Sequence, residues 1–193
     1  MRRALVLASS SPRRRALLSD AGYAFTVAEP DVDESALPGE KPEELAERLA
    51  LAKARAVGAR VAPGACVLGA DTVVVVDGDL LGKPRDEAEA VEMLLRLAGR
   101  THRVLTGFAL LVPESRAADT GVVESAVRMH AVDRATAERY AASGEPLDKA
   151  GAYAAQGEGG RFVAEILGSR ANVIGLPVEA LAPRLARLGV APR

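Results

Sequence analysis

An acidic residue lies at the centre of a long apolar stretch of this chain. Asp71 follows Val67-Leu68-Gly69-Ala70 and precedes Thr72 and four valines, within the segment ACVLGADTVVVVDGDLLGKP of residues 65–84. An ionised carboxylate in a buried strand costs several kcal/mol unless a cation or hydrogen-bond donors compensate it. A carboxylate can also act as a general base or as a ligand of a divalent cation. We therefore predict that Asp71 belongs to an active site.

The segment Ser9-Ser10-Ser11-Pro12-Arg13-Arg14 carries cations that could meet a phosphate group. It places Arg13 and Arg14 in the first turn of a predicted helix, directly after a predicted strand. Serine hydroxyls and the free N–H groups of a helix start bind phosphate oxygens, and guanidinium groups add charge-assisted hydrogen bonds. The alternative is a capped helix with solvated arginines. Cations at a helix N-terminus oppose the helix dipole unless an anion is present, which favours an anion site.

A second cation, Lys83, stands in Gly82-Lys83-Pro84 at the end of the hairpin that turns at Asp77-Gly78. The segment differs from a P-loop because only three residues separate Gly78 from Gly82, and Pro84 occupies the position of the magnesium-binding serine or threonine. We expect Lys83 to contact phosphate only as a point charge.

A third group of charges is the acidic run Asp31-Val32-Asp33-Glu34, which precedes a predicted helix carrying Lys53. Alone, such a run is typical of a solvated surface. Together with Asp71, however, Glu34 offers a second carboxylate, while the arginines and lysines offer charge for a polyphosphate. Hard oxygen ligands suit Mg²⁺ or Mn²⁺, whose shell is usually completed by water and phosphate oxygens.

The whole-chain composition excludes several classes of function. The chain has 193 residues, a net charge of −1 and 3% aromatic residues, so it has neither the basic field nor the stacking platforms expected of a nucleic-acid binder. No apolar run approaches the roughly 20 residues that span a bilayer. The single cysteine, Cys66, is predicted to be an inert core residue, and His102 and His130 lack the spacing of a zinc site. We expect a cytoplasmic protein.

The elements that must position these residues are strands and helices without strict alternation. This pattern predicts an α/β or α+β fold with a mixed sheet, in one domain spanning 1–193. Strands are predicted at 4–8, 25–28, 101–112, 121–130 and 162–167, with a hairpin at 66–82. Helices are predicted at 11–21, 42–60, 85–97 and 136–143, and a closing helix within 174–188. The predicted inward residues are Leu45, Leu49 and Ala52 in the second helix, and Ala88, Val91, Leu94 and Leu95 in the third.

Six motifs, read in order along the chain, resemble those of the Maf proteins. They are LASSSPRR at 7–14, VDE at 32–34, LALAKA at 49–54, GADT at 69–72, GKP at 82–84 and DKAGAYAAQG at 148–157. The resemblance covers nearly the whole chain. It implies a nucleoside triphosphate pyrophosphatase, with an elongated mixed sheet and two lobes around a deep cleft, related to the inosine triphosphatase architecture. It also suggests a homodimer.

The resemblance also assigns roles to single residues. Asp71 corresponds to the catalytic acid of the family, and Arg13, Thr72 and Gln156 correspond to the positions that separate its substrate groups. This combination is similar to the branch acting on dTTP and UTP, whereas the 7-methyl-GTP branch tends to carry Trp, Gln and Glu there. The other residues that correspond to residues of the family's cleft are Ser9, Ser11, Arg14, Glu34, Lys53 and Lys83.

The chemistry of Gln156 is compatible with that choice, because its amide both donates and accepts and so matches the edge of uracil or thymine. Without the resemblance, Gln156 would be interpreted as an ordinary polar loop residue. Thr72 is harder to explain, since strand alternation points Asp71 and Thr72 to opposite faces.

We expect hydrolysis between the α and β phosphates, with Asp71 either deprotonating the attacking water or holding the metal. The competing hypothesis is a nucleotide-binding regulator of cell division that does not hydrolyse its ligand.

Overall fold

The computed structural model describes residues 3–115 and 118–193, and within these ranges it contains seven strands and six α-helices. The strands are β1 (Leu5–Ala8), β2 (Phe25–Ala28), β3 (Cys66–Val76), β4 (Asp79–Leu81), β5 (Thr101–Leu111), β6 (Ala118–Met129) and β7 (Val163–Leu167). The helices are α1 (Pro12–Asp20), α2 (Pro42–Gly58), α3 (Glu87–Leu97), α4 (Arg134–Ala141), α5 (Arg170–Ile174) and α6 (Val178–Arg187). Helix α5 was not predicted from the sequence.

Side-chain caps explain where several helices begin. The Oγ of Ser11 accepts a hydrogen bond from the N–H of Arg14 at 3.4 Å, and Pro12 follows as the first helical residue of α1. Asp86 accepts from the N–H of Glu89 at 2.8 Å, so α3 begins at Glu87 and not at the predicted residue 85. In both cases an oxygen satisfies an N–H group that has no partner within the helix.

The strands form one mixed sheet in the order β2-β1-β3-β5-β6-β7, with β4 paired to β3. β1 pairs in parallel with β2 and β3, whereas β3–β4 and β6–β7 are antiparallel. The β3–β4 hairpin turns at Asp77 and Gly78, whose φ angles of 52° and 87° match the two-residue turn that suits strand twist. The predicted mixed α/β fold is therefore confirmed.

Contacts divide the chain into two units. The first comprises the described residues of Met1–Asp71, Thr106–Val123 and Gly175–Arg193. Alternate strand residues enter two cores: Leu5, Leu7, Cys66 and Leu68 pack with residues of α1 and α6, while Val6, Ala8 and Val67 pack with Ala50, Ala54 and Val57 of α2. Cys66 is fully buried, and burial raises the pKa of its thiol to about 11, as expected of an inert core cysteine.

The second unit comprises Thr72–Leu105 and Glu124–Ile174. Its core packs α3 and α4 against residues of β3, β5 and β6. The predicted inner face of α3 is partly wrong, because Ala88 is exposed and Leu95 is only partly buried. The buried residues are Ala90, Val91, Leu94 and Leu97. Within the described ranges, no helix is long and apolar enough to cross a membrane.

Candidate active site

A buried lysine joins the two carboxylates that the sequence singles out. The Nζ of Lys53 lies 2.6 Å from Oδ1 of Asp71 and 2.5 Å from Oε1 of Glu34. The side chains of Lys53 and Asp71 are only 7% and 13% exposed, whereas that of Glu34 is 48% exposed. The lysine ammonium thus compensates the carboxylate that would otherwise be unpaired in the strand. The carboxylate of Asp71 remains partly accessible to solvent, and a carboxylate that acts on a substrate needs this access.

Strand alternation explains why Asp71 meets α2. Val67, Gly69 and Asp71 lie at alternate positions of β3, and Val67 packs against α2. Lys53 follows the buried Ala50 by three residues, so it projects from the same face of the helix. The predicted inward residue Ala52 is wrong: Ala52 is half-buried, and Lys53 and Ala54 are buried instead.

Two glycines let α2 lie unusually close to the sheet. A Cβ placed on Gly69 would lie 2.1 Å from the carbonyl oxygen of Ala50, and one placed on Gly107 would lie 2.2 Å from that of Ala46. Both distances are far below van der Waals contact, so only glycine fits at these positions of β3 and β5. This close approach brings the side chain of Lys53, which projects from α2, within hydrogen-bonding distance of Asp71 on β3.

The arginine-bearing turn is anchored in the same unit. Nη1 of Arg14 donates to Oγ of Ser9 at 3.2 Å, and its Nε donates to the carbonyl of Gly175 at 2.8 Å. Oγ of Ser9 also accepts from the N–H of Ser11 at 3.2 Å. Burial lowers the pKa of the Arg14 guanidinium, but the carboxylate of Asp71 opposes that shift. The negative charge of Asp71 therefore favours the charged form of Arg14.

The donor set restricts how a metal could be held. Oδ1 of Asp71 and Oε1 of Glu34 both lie within hydrogen-bonding distance of one lysine nitrogen, so the two oxygens are neighbours. In the part of the chain that the structure describes, no group of three or more His, Cys, Asp or Glu residues could hold a metal ion. Two carboxylates suit an Mg²⁺ or Mn²⁺ ion that keeps waters and binds phosphate oxygens, and do not form an all-protein cage.

The remaining predicted residues are distributed over both units. Arg13 is half-buried in α1 of the first unit. Thr72, Lys83 and Gln156 belong to the second unit, where Thr72 is half-buried and the other two are exposed. Within the first unit, the structure thus brings Ser9, Ser11 and Arg14 together by hydrogen bonds. It brings Glu34, Lys53 and Asp71 together by ion pairs.

The second unit also links two of the sequence motifs. The carbonyl of Gly82 accepts a hydrogen bond from the N–H of Gly151 at 3.1 Å. This contact joins the segment that carries Lys83 to the loop that leads to Gln156. No spacing rule connects positions 82 and 151, so this contact could not be predicted from the sequence.

Replacing Lys53 with methionine should destabilise the protein by about 1–3 kcal/mol, because the carboxylate of Asp71 loses its partner in a poorly solvated place. Mn²⁺ should then raise the melting temperature of the Lys53→Met variant more than that of the unchanged protein, since a cation would again compensate both carboxylates. The measurement is thermal unfolding with and without Mn²⁺. Lys41→Met, an exposed position at the start of α2, is the matched control. An equal Mn²⁺ effect on all three proteins would contradict this account.

Comparisons with known proteins agree on one family. The family model described as Maf-like protein matches residues 4–188. A protein of Symbiobacterium thermophilum named dTTP/UTP pyrophosphatase is 51% identical over 185 residues, which cover 96% of this chain and 94% of the relative. A protein of Myxococcus xanthus with the same name is 51% identical over 186 residues, covering 96% and 93% of the two chains.

Similarity to solved structures is weaker. A crystal structure described as a nucleoside-triphosphatase / dITP/XTP pyrophosphatase from Mycobacterium abscessus superposes with a TM-score of 0.48 and 16% sequence identity, covering 96% of both chains.

Proposed function

The chain belongs to the Maf family, and we propose that it hydrolyses dTTP and UTP to the nucleoside monophosphate and pyrophosphate. The observation that carries the proposal is the carboxylate of Asp71, largely buried and ion-paired to Lys53, which also pairs with Glu34. Relatives about half identical to this chain over nearly their whole length are named dTTP/UTP pyrophosphatase, which supports the same substrates.

The proposed reaction is an in-line attack of water on the α-phosphorus. The oxygen of water forms a bond to phosphorus, the bond between the α-phosphorus and the bridging oxygen breaks, and its electron pair leaves with pyrophosphate. Asp71 orients the water and accepts its proton, and the hydrogen bond from Lys53 to Oδ1 holds the carboxylate in place. Arg13, Arg14 and Lys83 bind phosphate oxygens as negative charge develops on the leaving group.

Glu34 is the residue that would hold Mg²⁺ or Mn²⁺, and Asp71 would join it as a ligand in the alternative in which the ion, and not the carboxylate, activates the water. Such an ion, when bound, neutralises phosphate charge and polarises the bond to the leaving group. Glu34 suits this role because it stands in the loop between β2 and α2 with its carboxylate half exposed, where it can move from Lys53 to an arriving ion.

The proposal further includes a cytoplasmic location, where nucleoside triphosphates are found, a homodimeric assembly, and no stable binding of nucleic acid. The near-neutral net charge of −1 supports the last point. A steep salt dependence of binding to random oligonucleotides would contradict it.

A substrate panel tests the proposed function. With Mg²⁺ or Mn²⁺, release of pyrophosphate from dTTP and UTP should be about tenfold to a hundredfold more efficient than from GTP or 7-methyl-GTP. In this proposal the side-chain amide of Gln156 reads the base, and a well-placed amide discriminates by about 1–3 kcal/mol. The assay follows pyrophosphate release and identifies the monophosphate. A preference for 7-methyl-GTP would overturn the substrate assignment and keep the reaction. Tight nucleotide binding without pyrophosphate release would favour the non-hydrolysing regulator.

A further inference from the structure

The loop that ends at Gln156 is fastened by side chains outside the proposed site. Residues 152–155 are buried, Gln156 is exposed, and a 3₁₀ turn over Gly157–Phe162 follows. The backbone is strained just before it, because Ala152 has a φ of 57°, which side chains other than glycine rarely adopt. The buried segment 152–155, which leads to Gln156 and includes this strained residue, therefore needs contacts with its surroundings to keep its conformation.

Glu145 holds the loop on the far side of Gln156. Its carboxylate accepts hydrogen bonds from the N–H groups of Glu158 and Gly159, each at 3.3 Å. These N–H groups stand at the start of the 3₁₀ turn, where the helix provides them with no acceptor. A charged acceptor is stronger than a neutral one, so Glu145 acts as a cap supplied from a distant part of the sequence.

Tyr140 holds the near side and links it to Glu145. Its hydroxyl accepts from the N–H of Ala154 at 3.3 Å and donates to Oε1 of Glu145 at 3.2 Å. The residue is fully buried, and its ring packs edge-on against Phe162 with 5.0 Å between ring centres. A Cβ on Gly159 would lie 2.4 Å from the Tyr140 hydroxyl, so this oxygen fills the inside of the loop.

Two further contacts complete the arrangement. Arg170 donates from Nη2 to the carbonyl of Ala155 at 3.0 Å, immediately before Gln156. The hydroxyl of Tyr153 lies 2.7 Å from Nε2 of His102. Burial lowers the pKa of His102 to about 4 and raises the pKa of Tyr153, so this pair stays neutral at physiological pH.

We propose that Glu145 and Tyr140 are positioning residues for base recognition: they fix the backbone on both sides of Gln156 so that its amide meets the pyrimidine edge in one orientation. The inference rests on the proposed function, in which Gln156 reads the base. An amide that rotates freely loses its discrimination between donor and acceptor patterns, because each hydrogen bond then costs ordering entropy. Neither Glu145 nor Tyr140 needs to touch the substrate.

The test compares UTP with GTP in four single variants and one double variant. Glu145→Ala and Tyr140→Phe should each lower the ratio of kcat/KM for UTP over GTP, Glu145→Ala by about tenfold and close to the loss in Gln156→Ala. In the Gln156→Ala background, Glu145→Ala should cause no further loss of the ratio. Glu145→Gln keeps one oxygen acceptor and should recover part of the preference. Inhibition by inorganic tripolyphosphate, which has no base, should stay within about twofold of the unchanged protein.

Glu138→Ala is the matched control, because Glu138 is exposed on α4 two residues before Tyr140. An unchanged UTP/GTP ratio in folded Glu145→Ala and Tyr140→Phe would overturn the inference, as would losses that add to that of Gln156→Ala. Calorimetric Kd values for both nucleotides test the positioning role of Glu145 and Tyr140 independently of the proposed reaction. If the unchanged protein binds UTP selectively without turnover, the proposed reaction fails while the same Kd ratios still decide the role of Glu145.

Discussion

Replacing Asp71 with asparagine is expected to lower the turnover of dTTP and UTP by at least about 100-fold. Asparagine keeps the size of the side chain but can neither accept the proton of water nor carry negative charge. The ammonium of Lys53 would retain Glu34 as its ionic partner, since Nζ lies 2.5 Å from the carboxylate of Glu34. The fold should therefore survive, and the loss should appear in kcat.

Single-turnover kinetics and circular dichroism check this expectation. Asp20→Asn is the matched control, because Asp20 is exposed at the end of α1. Near-normal turnover in a folded Asp71→Asn protein would exclude Asp71 as the base. A loss confined to KM would instead assign Asp71 to ground-state binding of the nucleotide.

Replacing Gly69 with alanine should destabilise the protein by at least about 3 kcal/mol and reduce activity together with stability. The added methyl carbon would lie 2.1 Å from the carbonyl oxygen of Ala50 and 2.8 Å from the backbone nitrogen of Ala54. Because both atoms belong to the backbone of α2, no rotamer change relieves the overlap. The helix must move away from β3, and Lys53 moves with it.

Chemical denaturation measures the free energy of unfolding of this variant. Gly82→Ala is the matched control, since a Cβ there has no atom within 4 Å and Gly82 does not have a positive φ. Its unfolding midpoint should stay close to that of the unchanged protein. Equal stability of Gly69→Ala and Gly82→Ala would show that α2 is not packed as tightly as described.

Much of the fold could be predicted from the sequence because local signals define it. Alternating or continuous apolar runs predicted the bounds of most strands to within a few residues of those in the structure. Pro12 and Pro42 marked the starts of two helices. Boundaries failed where a cap such as Asp86 lies inside a helical pattern. Helix α5 was missed because its five residues, Arg170–Ile174, are too few to show a period.

The site was only partly predictable. Asp71 stands out because an acid among valines is costly, and this holds for any fold. Its partner Lys53 lies 18 positions away on α2. The burial of Lys53 follows from how closely this helix approaches the sheet. That approach depends on Gly69 and Gly107, two glycines whose role cannot be distinguished by sequence from that of turn glycines. The contacts of Glu145 with the Gln156 loop are likewise purely tertiary.

The fit of α2 against glycine also bears on redesign of this protein. Libraries that vary Gly69 or Gly107 should mostly yield destabilised chains, whatever nucleotide they are selected for, because any side chain there overlaps the backbone of α2. The exposed tip at Gln156 can be diversified separately, provided Tyr140 and Glu145 are left in place. Base preference and phosphate chemistry should thus depend on separate positions. Positions near Gln156 should tolerate many substitutions, whereas the glycines that pack against α2 should tolerate few.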